Sequence, residues 1–314
     1  MMPDRDNFDV SGRRRSKGAS CEADETGLPI VRTVADLRVA VSEWRSKGES
    51  IALVPTMGAL HEGHLSLMSQ GRSLCDRVVV SIFVNPKQFE RADDLESYPS
   101  DTLRDIEQLS AQGVDLLYLP GVKEIYPPGF TTVVSLPGLS NCLCGTDRPG
   151  HFDGVSTVVS KLLLQSLPDV AIFGEKDFQQ LQIVRRMVQD LNIPVTVRGG
   201  ATVREADGLA LSSRNRLLSE DERVRAAKLY RILSTAVERI AAGSGMSGVL
   251  DQARLEAAES GFTSVDYLEI REEDSLALPG EQAGPEGKGG SALRIFAAVR
   301  LGTTRLIDNL PLSS

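Results

Sequence analysis

The sequence predicts an α/β fold, a doubly wound parallel sheet followed by a smaller C-terminal α+β domain. Three observations carry that prediction. Short unbroken apolar runs rich in β-branched residues recur between residues 51 and 197, and such runs read as strands buried on both faces. Stretches of helical period lie between them, and strand–helix alternation marks a parallel sheet. After about Arg204 the texture changes to helical stretches and then to strand-like runs.

Taken in order, Ile51-Ala52-Leu53-Val54 is a first strand ending at Pro55. Val78 to Val84 is a second, ending at Asn85-Pro86, and Val114 to Leu119 a third, ending at Pro120. Val170 to Phe173 is a fourth, ending at Gly174, and Pro194 to Val197 a fifth. The intervening helices are His64 to Cys75, Leu103 to Leu109 behind an Asp101 cap, Val155 to Leu167, and Phe178 to Leu191. In the second half, Ser219-Glu220-Asp221-Glu222 reads as a cap and acidic first turn of a long helix reaching about Ile240. A helix over Val249 to Ala258 and strands over Val265 to Ile270 and Leu293 to Asp308, interrupted near Gly302, complete it. Pro279 to Gly290 is rich in Gly, Pro and Glu and reads as a mobile loop. These boundaries divide the chain into a disordered extension over 1–28, a first domain over 29–203 and a second over 204–314.

With 314 residues and 41% hydrophobic content, the chain can bury a large core. A net charge of -8 argues against nucleic acid as the main partner, because phosphate backbones need a clustered excess of Lys and Arg. It leaves room for a locally positive site. Four cysteines, Cys21, Cys75, Cys142 and Cys144, are too sparse for a disulfide framework and lack zinc spacing. They fit reduced thiols in a cytoplasmic protein. No apolar run approaches the roughly 20 residues that span a bilayer, so no membrane partner is expected. The polar N-terminus, with mixed charge, matches neither a secretory signal nor a transit peptide.

In a doubly wound sheet, ligands bind beyond the carboxyl ends of the strands. Four clusters sit at such places. Pro55-Thr56-Met57-Gly58-Ala59-Leu60-His61-Glu62-Gly63-His64 joins a strand to a helix. Its two imidazoles, near a helix N-terminus, can donate hydrogen bonds to a phosphoryl group as charge develops there. Gly63 leaves room for a ligand to approach the backbone. Two histidines three apart are also compatible with metal binding, but no third His or Cys ligand lies nearby. His151, the remaining histidine, reads as a structural residue.

Gly174-Glu175-Lys176-Asp177 follows another strand. Gly174 permits a tight turn, Lys176 is a point charge suited to phosphate or carboxylate, and Gln180 lies on the next helical turn. Phe83-Val84-Asn85-Pro86-Lys87-Gln88-Phe89 follows a third, where Asn85 and Gln88 offer amides that can read a hydroxyl or carbonyl. The fourth, Arg204 to Asn215, lies at the domain boundary, where a closing lid would sit. Its Ser212, Ser213 and Arg214 can clamp triphosphate oxygens. No Ser-His-Asp or Cys-His nucleophile is evident.

Together the strings P-T-M-G-A-L-H-E-G-H, F-V-N-P-x-Q-F, R-P-G-H-F, F-G-E-K-D-F-Q-Q-L and D-G-L-A-L-S-S-R-N resemble the pantothenate synthetase family of HIGH-signature nucleotidyltransferases. The likeness runs from about Ile30 to Leu310. It implies a Rossmann-like first domain and a C-terminal lid, working as a homodimer. The implied reaction joins pantoate to β-alanine through a pantoyl adenylate, consuming ATP with Mg²⁺ as its companion ion. Met57, Gly58, His61, Gly63 and His64 then match the ATP signature, with His64 at the position taken as catalytic and His61 sharing the phosphate contact. Gly174, Glu175, Lys176 and Asp177, with Leu211, Ser212, Ser213 and Arg214, match further ATP segments, and Val203 lies near adenine. Gln88 and Gln180 match pantoate-binding glutamines, Gln88 also lying near β-alanine. Asp105 and Gln108 match positions around the metal. Where bacterial members often carry an acidic residue, this chain has Cys144. Two other readings use the same residues: a different small-molecule nucleotidyltransferase, or a nucleotide-binding regulator without catalysis.

Overall fold

Ile51 and Leu53 point to one side of their strand, Ala52 and Val54 to the other, and all four are fully buried. A strand with two buried faces needs a layer on each side, and the chain supplies both. The computed structural model describes residues 22–23, 27–89, 95–96, 98–280 and 291–312. Its main sheet has seven strands: β1 (Glu22–Ala23), β2 (Pro29–Val31), β3 (Ile51–Thr56), β4 (Arg77–Ile82), β5 (Leu116–Tyr118), β6 (Val170–Gly174) and β7 (Thr196–Gly200). Their order is β1-β2-β5-β4-β3-β6-β7. All pairs are parallel except β1 with β2.

Helices α1 (Val34–Ser46), α2 (Glu62–Leu74), α3 (Thr102–Ala111), α4 (His151–Ser166) and α5 (Phe178–Asp190) cover the two faces. Leu37, Val41, Val159 and Val184 pack with Ile51 and Leu53 on one side. Leu65, Met68, Ile106 and Leu109 pack with Ala52 and Val54 on the other. From β3 the chain builds outward to β4 and β5, then crosses to β6 on β3's other flank. That reversal opens a crevice above the carboxyl ends of β3 and β6, the place where doubly wound sheets bind ligands.

The C-terminal part holds α6 (Glu220–Ala226), α7 (Lys228–Ala241), α8 (Met246–Glu259) and an antiparallel sheet of β8 (Ser264–Glu272), β9 (Leu293–Leu301) and β10 (Thr304–Pro311), in the order β10-β9-β8. Ile295, Ala297 and Val299 pack with these helices in a second core. Phe296 points the other way, into the core that holds Phe178. The alternation of β9 thus joins the small sheet to the large one.

Several elements depart from the sequence reading. α2 starts at Glu62, ahead of the expected His64, because His61 caps it. The fifth strand starts at Thr196 and extends to Gly200. Pro194 has no N–H to give a ladder, and Val195 turns back to Ile193. The long helix after Ser219 is divided at Ala227, whose dihedrals stay helical, so its direction is preserved. Ser219 and Glu222 form the expected capping box. In the extension expected to be disordered, Glu22–Ala23 pairs with Pro29–Ile30 and covers the free edge of β2. Residues 1–21 and 24–26 of that extension, and 281–290 of the expected loop, lie outside the described residues.

Candidate active site

β3 ends at Thr56, whose hydroxyl donates to the Ser81 carbonyl at 2.9 Å and accepts the Gly58 N–H at 3.2 Å. Beyond Met57 two residues take left-handed backbone, Gly58 at φ 81° and Ala59 at φ 51°. For Ala59 that conformation is costly and needs external support. Asp105 of α3 provides it, accepting the N–H of Ala59 at 2.9 Å and of Leu60 at 2.8 Å. Burial pushes the Asp105 carboxyl up, and these two hydrogen bonds oppose that push.

The turn delivers His61 to the N-cap of α2. Its Nδ1 accepts the Gly63 N–H at 3.1 Å, and Nδ1 of His64 faces the His61 N–H at 3.4 Å. With each Nδ1 acting as acceptor, the neutral rings carry their protons on Nε2. Burial, with help from Lys176, lowers the His61 pKa to about 4. Burial and the neighbouring His61 lower that of His64 to about 3. Both rings are therefore neutral donors at physiological pH. Gly63 is required by the ring as much as by any ligand, since a Cβ there would lie 2.9 Å from His61 Cε1.

The crevice is lined by Met57, His61, Gly63, His64, Asn85, Gln88, Gly174, Lys176, Asp177, Gln180, Val203, Leu211, Ser212, Ser213 and Arg214. Four separate segments thus converge. Gly58, Glu175, Asp105 and Gln108 of the expected set stand outside this lining. Gly174 has φ -70°, which any residue adopts, so the turn does not demand glycine. A Cβ there would meet nothing within 4 Å and would project into open space. Lys176 lies 3.9 Å from the Asp177 carboxylate. Ser212 caps the turn Ser213–Leu217 by accepting the Arg214 N–H at 3.3 Å.

The two expected amide readers differ. Asn85 is buried and fully engaged by protein: Nδ2 donates to Gln88 Oε1 and to the Gly154 carbonyl, each at 3.0 Å, and Oδ1 accepts from the Tyr126 hydroxyl at 2.8 Å. It holds Gln88 in place. Adjacent Gln179 and Gln180 also divide their roles. Gln179 donates to the Leu139 and Cys142 carbonyls and accepts the Cys144 N–H, at 3.0, 2.7 and 3.1 Å. Gln180 turns to the crevice.

His151, read from sequence as structural, lines the crevice too. Its Nδ1 lies 2.8 Å from the Gln88 carbonyl and its Nε2 3.3 Å from the Arg148 guanidinium. Burial, then the Arg148 charge, lowers its pKa to about 4. His151 and Arg148 thus both hold the Gln88 backbone carbonyl at the edge of the crevice. Tyr98 was missed entirely. It lines the crevice together with Ser213, yet a lone Tyr in a polar loop gives no sequence signal.

Among the described residues no group of three or more His, Cys, Asp or Glu is placed to hold a metal ion. The two-histidine metal reading loses its footing in any case, because each Nδ1 accepts a hydrogen bond, which puts the proton on Nε2 and leaves that nitrogen no lone pair for an ion.

The model of the pantoate–β-alanine ligase family matches residues 29–311. The chain belongs to that family. The pantothenate synthetase of Cereibacter sphaeroides strain ATH 2.4.9 is 54% identical over 283 residues, covering 90% of this chain and 99% of that protein. That of Chelativorans sp. is 51% identical over 286 residues, covering 91% and 98%. The crystal structure of pantothenate synthetase from Thermus thermophilus superposes with TM-score 0.83 at 44% identity, covering 91% of this chain and 99% of that one. The pantoate–β-alanine ligase of Francisella tularensis, solved in complex with β-γ ATP and β-alanine, gives TM-score 0.75 at 34% identity, covering 91% and 98%. Within this family chain, Cys144 meets Arg305 at 3.2 Å and the Tyr267 hydroxyl at 3.1 Å. Asp147 and Asp266 balance the Arg305 charge at 3.0 and 2.8 Å.

Proposed function

We propose that this ligase condenses pantoate with β-alanine through a pantoyl adenylate formed in the crevice above β3 and β6. One observation carries the reading: phosphate-type donors from three segments and the substrate-type amides Gln88 and Gln180 line a single crevice. In the first step a pantoate carboxylate oxygen attacks the α-phosphorus of ATP. The O–P bond forms, the bond to the β-phosphate bridging oxygen breaks, and pyrophosphate leaves with that electron pair. Charge grows on the α-phosphoryl oxygens. His61 and His64 offer neutral Nε2–H donors, and Lys176 offers a point charge, all held before the reaction starts. In the second step the free amine of β-alanine attacks the acyl carbon, AMP leaves, and the extra amine proton passes to solvent.

Ser213 and Arg214 face Lys176 across the crevice and complete the phosphate cradle in this reading. Met57, Gly63, Gly174, Asp177, Val203, Leu211 and Ser212 supply the remaining ATP contacts, while Gly58 and Glu175, outside the lining, belong to the turns that carry His61 and Lys176. Gln180 and Gln88 read pantoate, with Asn85 as the support of Gln88. Mg²⁺ belongs to this reading as the companion of the ATP phosphates. Asp105 and Gln108, which the resemblance puts in its surroundings, do not fit as its ligands, because both stand outside the crevice lining and both Asp105 oxygens already accept backbone N–H groups. Assembly as a homodimer belongs to the same proposal, tested by light scattering. Among the described residues no helix is long and apolar enough to cross a membrane, which accords with a cytoplasmic enzyme.

The test is pyrophosphate and AMP formation from ATP, Mg²⁺ and pantoate, with and without β-alanine. Pyrophosphate with pantoate alone, and AMP with pantothenate only after β-alanine is added, are the expected results. ATP binding without turnover of pantoate would overturn the reading.

A further inference from the structure

Adjacent residues of β10 each hold one of two ATP-contacting segments. Asn309 is buried and uses its whole amide. Its Nδ2 donates to the Glu175 carbonyl at 3.0 Å and the Lys176 carbonyl at 2.9 Å. Its Oδ1 accepts from the buried Arg294 guanidinium at 2.6 Å, which fixes which end of the amide faces the loop. Arg294 in turn stacks 3.9 Å above the Phe178 ring, where the loop enters α5, and pairs with Glu273 at 2.8 Å. The turn carrying Lys176 has no side-chain cap of its own. Its carbonyls are tied down from the other sheet.

Asp308 does the matching work on the other side. It pairs with Arg204 through both oxygens, at 2.7 and 2.9 Å. Arg204 also donates to the Gly208 carbonyl at 3.0 Å and lies 4.3 Å above the Tyr230 ring. Gly208, at φ 92°, accepts no side chain, since a Cβ would lie 2.2 Å from Tyr230. Arg204 bridges to Ala210, and Leu211 bonds back to Val203, so this small hairpin sets where Ser212, Ser213 and Arg214 emerge.

We propose that Asp308 and Asn309 form a positioning clamp that fixes the spacing between Lys176 and the Ser212–Arg214 segment across the crevice. The inference rests on the proposed function only in taking both segments as phosphate contacts. Neither residue lines the crevice. Their effect is to keep donors from the two segments in one register, so that none has to be reorganised as charge develops.

A double-mutant cycle tests the clamp, with pantoate-dependent pyrophosphate release and ATP dissociation constants both measured. Asn309→Ala is expected to lower release roughly tenfold or more, as misplacement of a reacting group does. In a Lys176→Ala background the same change is expected to cost less than about twofold, because the group it places is gone. An equal factor in both backgrounds would overturn the clamp, since general loosening acts regardless of Lys176. If Asn309→Ala does not fold, Asn309→Asp serves in its place, keeping the contact to Arg294 while losing both donors. Asp308→Asn against Arg214→Ala is the mirror cycle and is read the same way. Should wild-type chain bind ATP but release no pyrophosphate, the proposed reaction fails. The clamp is then decided by the same cycles in the ATP dissociation constants.

Discussion

The imidazoles of His61 and His64 stand with ring centroids 4.1 Å apart and 39° between their planes. Each uses Nδ1 as an acceptor at the start of α2, so each presents Nε2–H. The pair is a rigid two-donor device. His64→Ala is expected to lower turnover about 100-fold or more, as for loss of one preorganised donor. His64→Gln, whose Nε2 lies near the same place, is expected to recover part of it. Equal activity for wild type and His64→Ala would remove His64 from the mechanism. Failure of Gln alone would favour proton transfer over hydrogen bonding.

The three histidines, at about 4, 3 and 4, all sit below their ordinary 6.5. A depressed pKa means that the unfolded chain binds protons which the folded chain refuses. Their stability contribution is therefore whole above 6.5 and is lost as pH falls towards 4. Each costs about 1.4 kcal/mol per pH unit within that window, so the three together approach about 4 kcal/mol per unit. Urea unfolding between about pH 7 and about pH 5 checks the slope. His151→Asn should reduce it by about one third. A histidine resonance titrating near 6.5 in the folded chain would contradict the burial argument.

Asp105 separates two roles cleanly. The resemblance places it near a metal, whereas its oxygens accept the Ala59 and Leu60 N–H groups. Asp105→Asn puts an NH₂ against one of those donors. Leaving a buried donor unmatched costs about 1–3 kcal/mol. The variant should therefore melt at a lower temperature without metal and turn over more slowly with Mg²⁺ present. Unchanged melting, with only the Mg²⁺ requirement raised, would assign Asp105 to the ion instead.

The legible parts of this molecule were those with local signatures. Apolar runs such as Ile51–Val54 and Val78–Val80 announced the sheet, and their ends announced the site, because strand ends and ligand crevices coincide in this topology. Boundaries were less legible. The start of α2 depends on a histidine acting as cap, a residue type that propensity does not favour there. The support structure was hardly legible at all. The partners Asp308 and Arg204 are about a hundred residues apart, and Asn309 reaches Lys176 across two sheets. Contacts of that kind follow from the tertiary fold. Asn85 shows the same limit, since sequence offers its amide to a substrate and only packing reveals that protein groups occupy it.

Gln179 and Gln180 are adjacent and chemically identical, so substitution of each isolates place from type. Gln179 is buried and holds three backbone groups between Leu139 and Cys144. Gln179→Ala leaves the Cys144 N–H without its acceptor, whereas the Cys142 carbonyl keeps the Gly145 N–H and the Leu139 carbonyl keeps the Cys142 thiol. It should destabilise the chain by about 1–3 kcal/mol, the cost of one buried group left unpaired. Gln180 lines the crevice, and among the described residues its side chain has no hydrogen-bond partner. Gln180→Ala should leave the melting temperature unchanged and raise the pantoate KM at least about tenfold, because a site that reads a hydroxyl or carboxylate loses selectivity with its reader. The ATP KM should move much less. A fall in melting temperature for both variants would make Gln180 a packing residue. An equal rise in both KM values would place it in the shared phosphate cradle, away from pantoate.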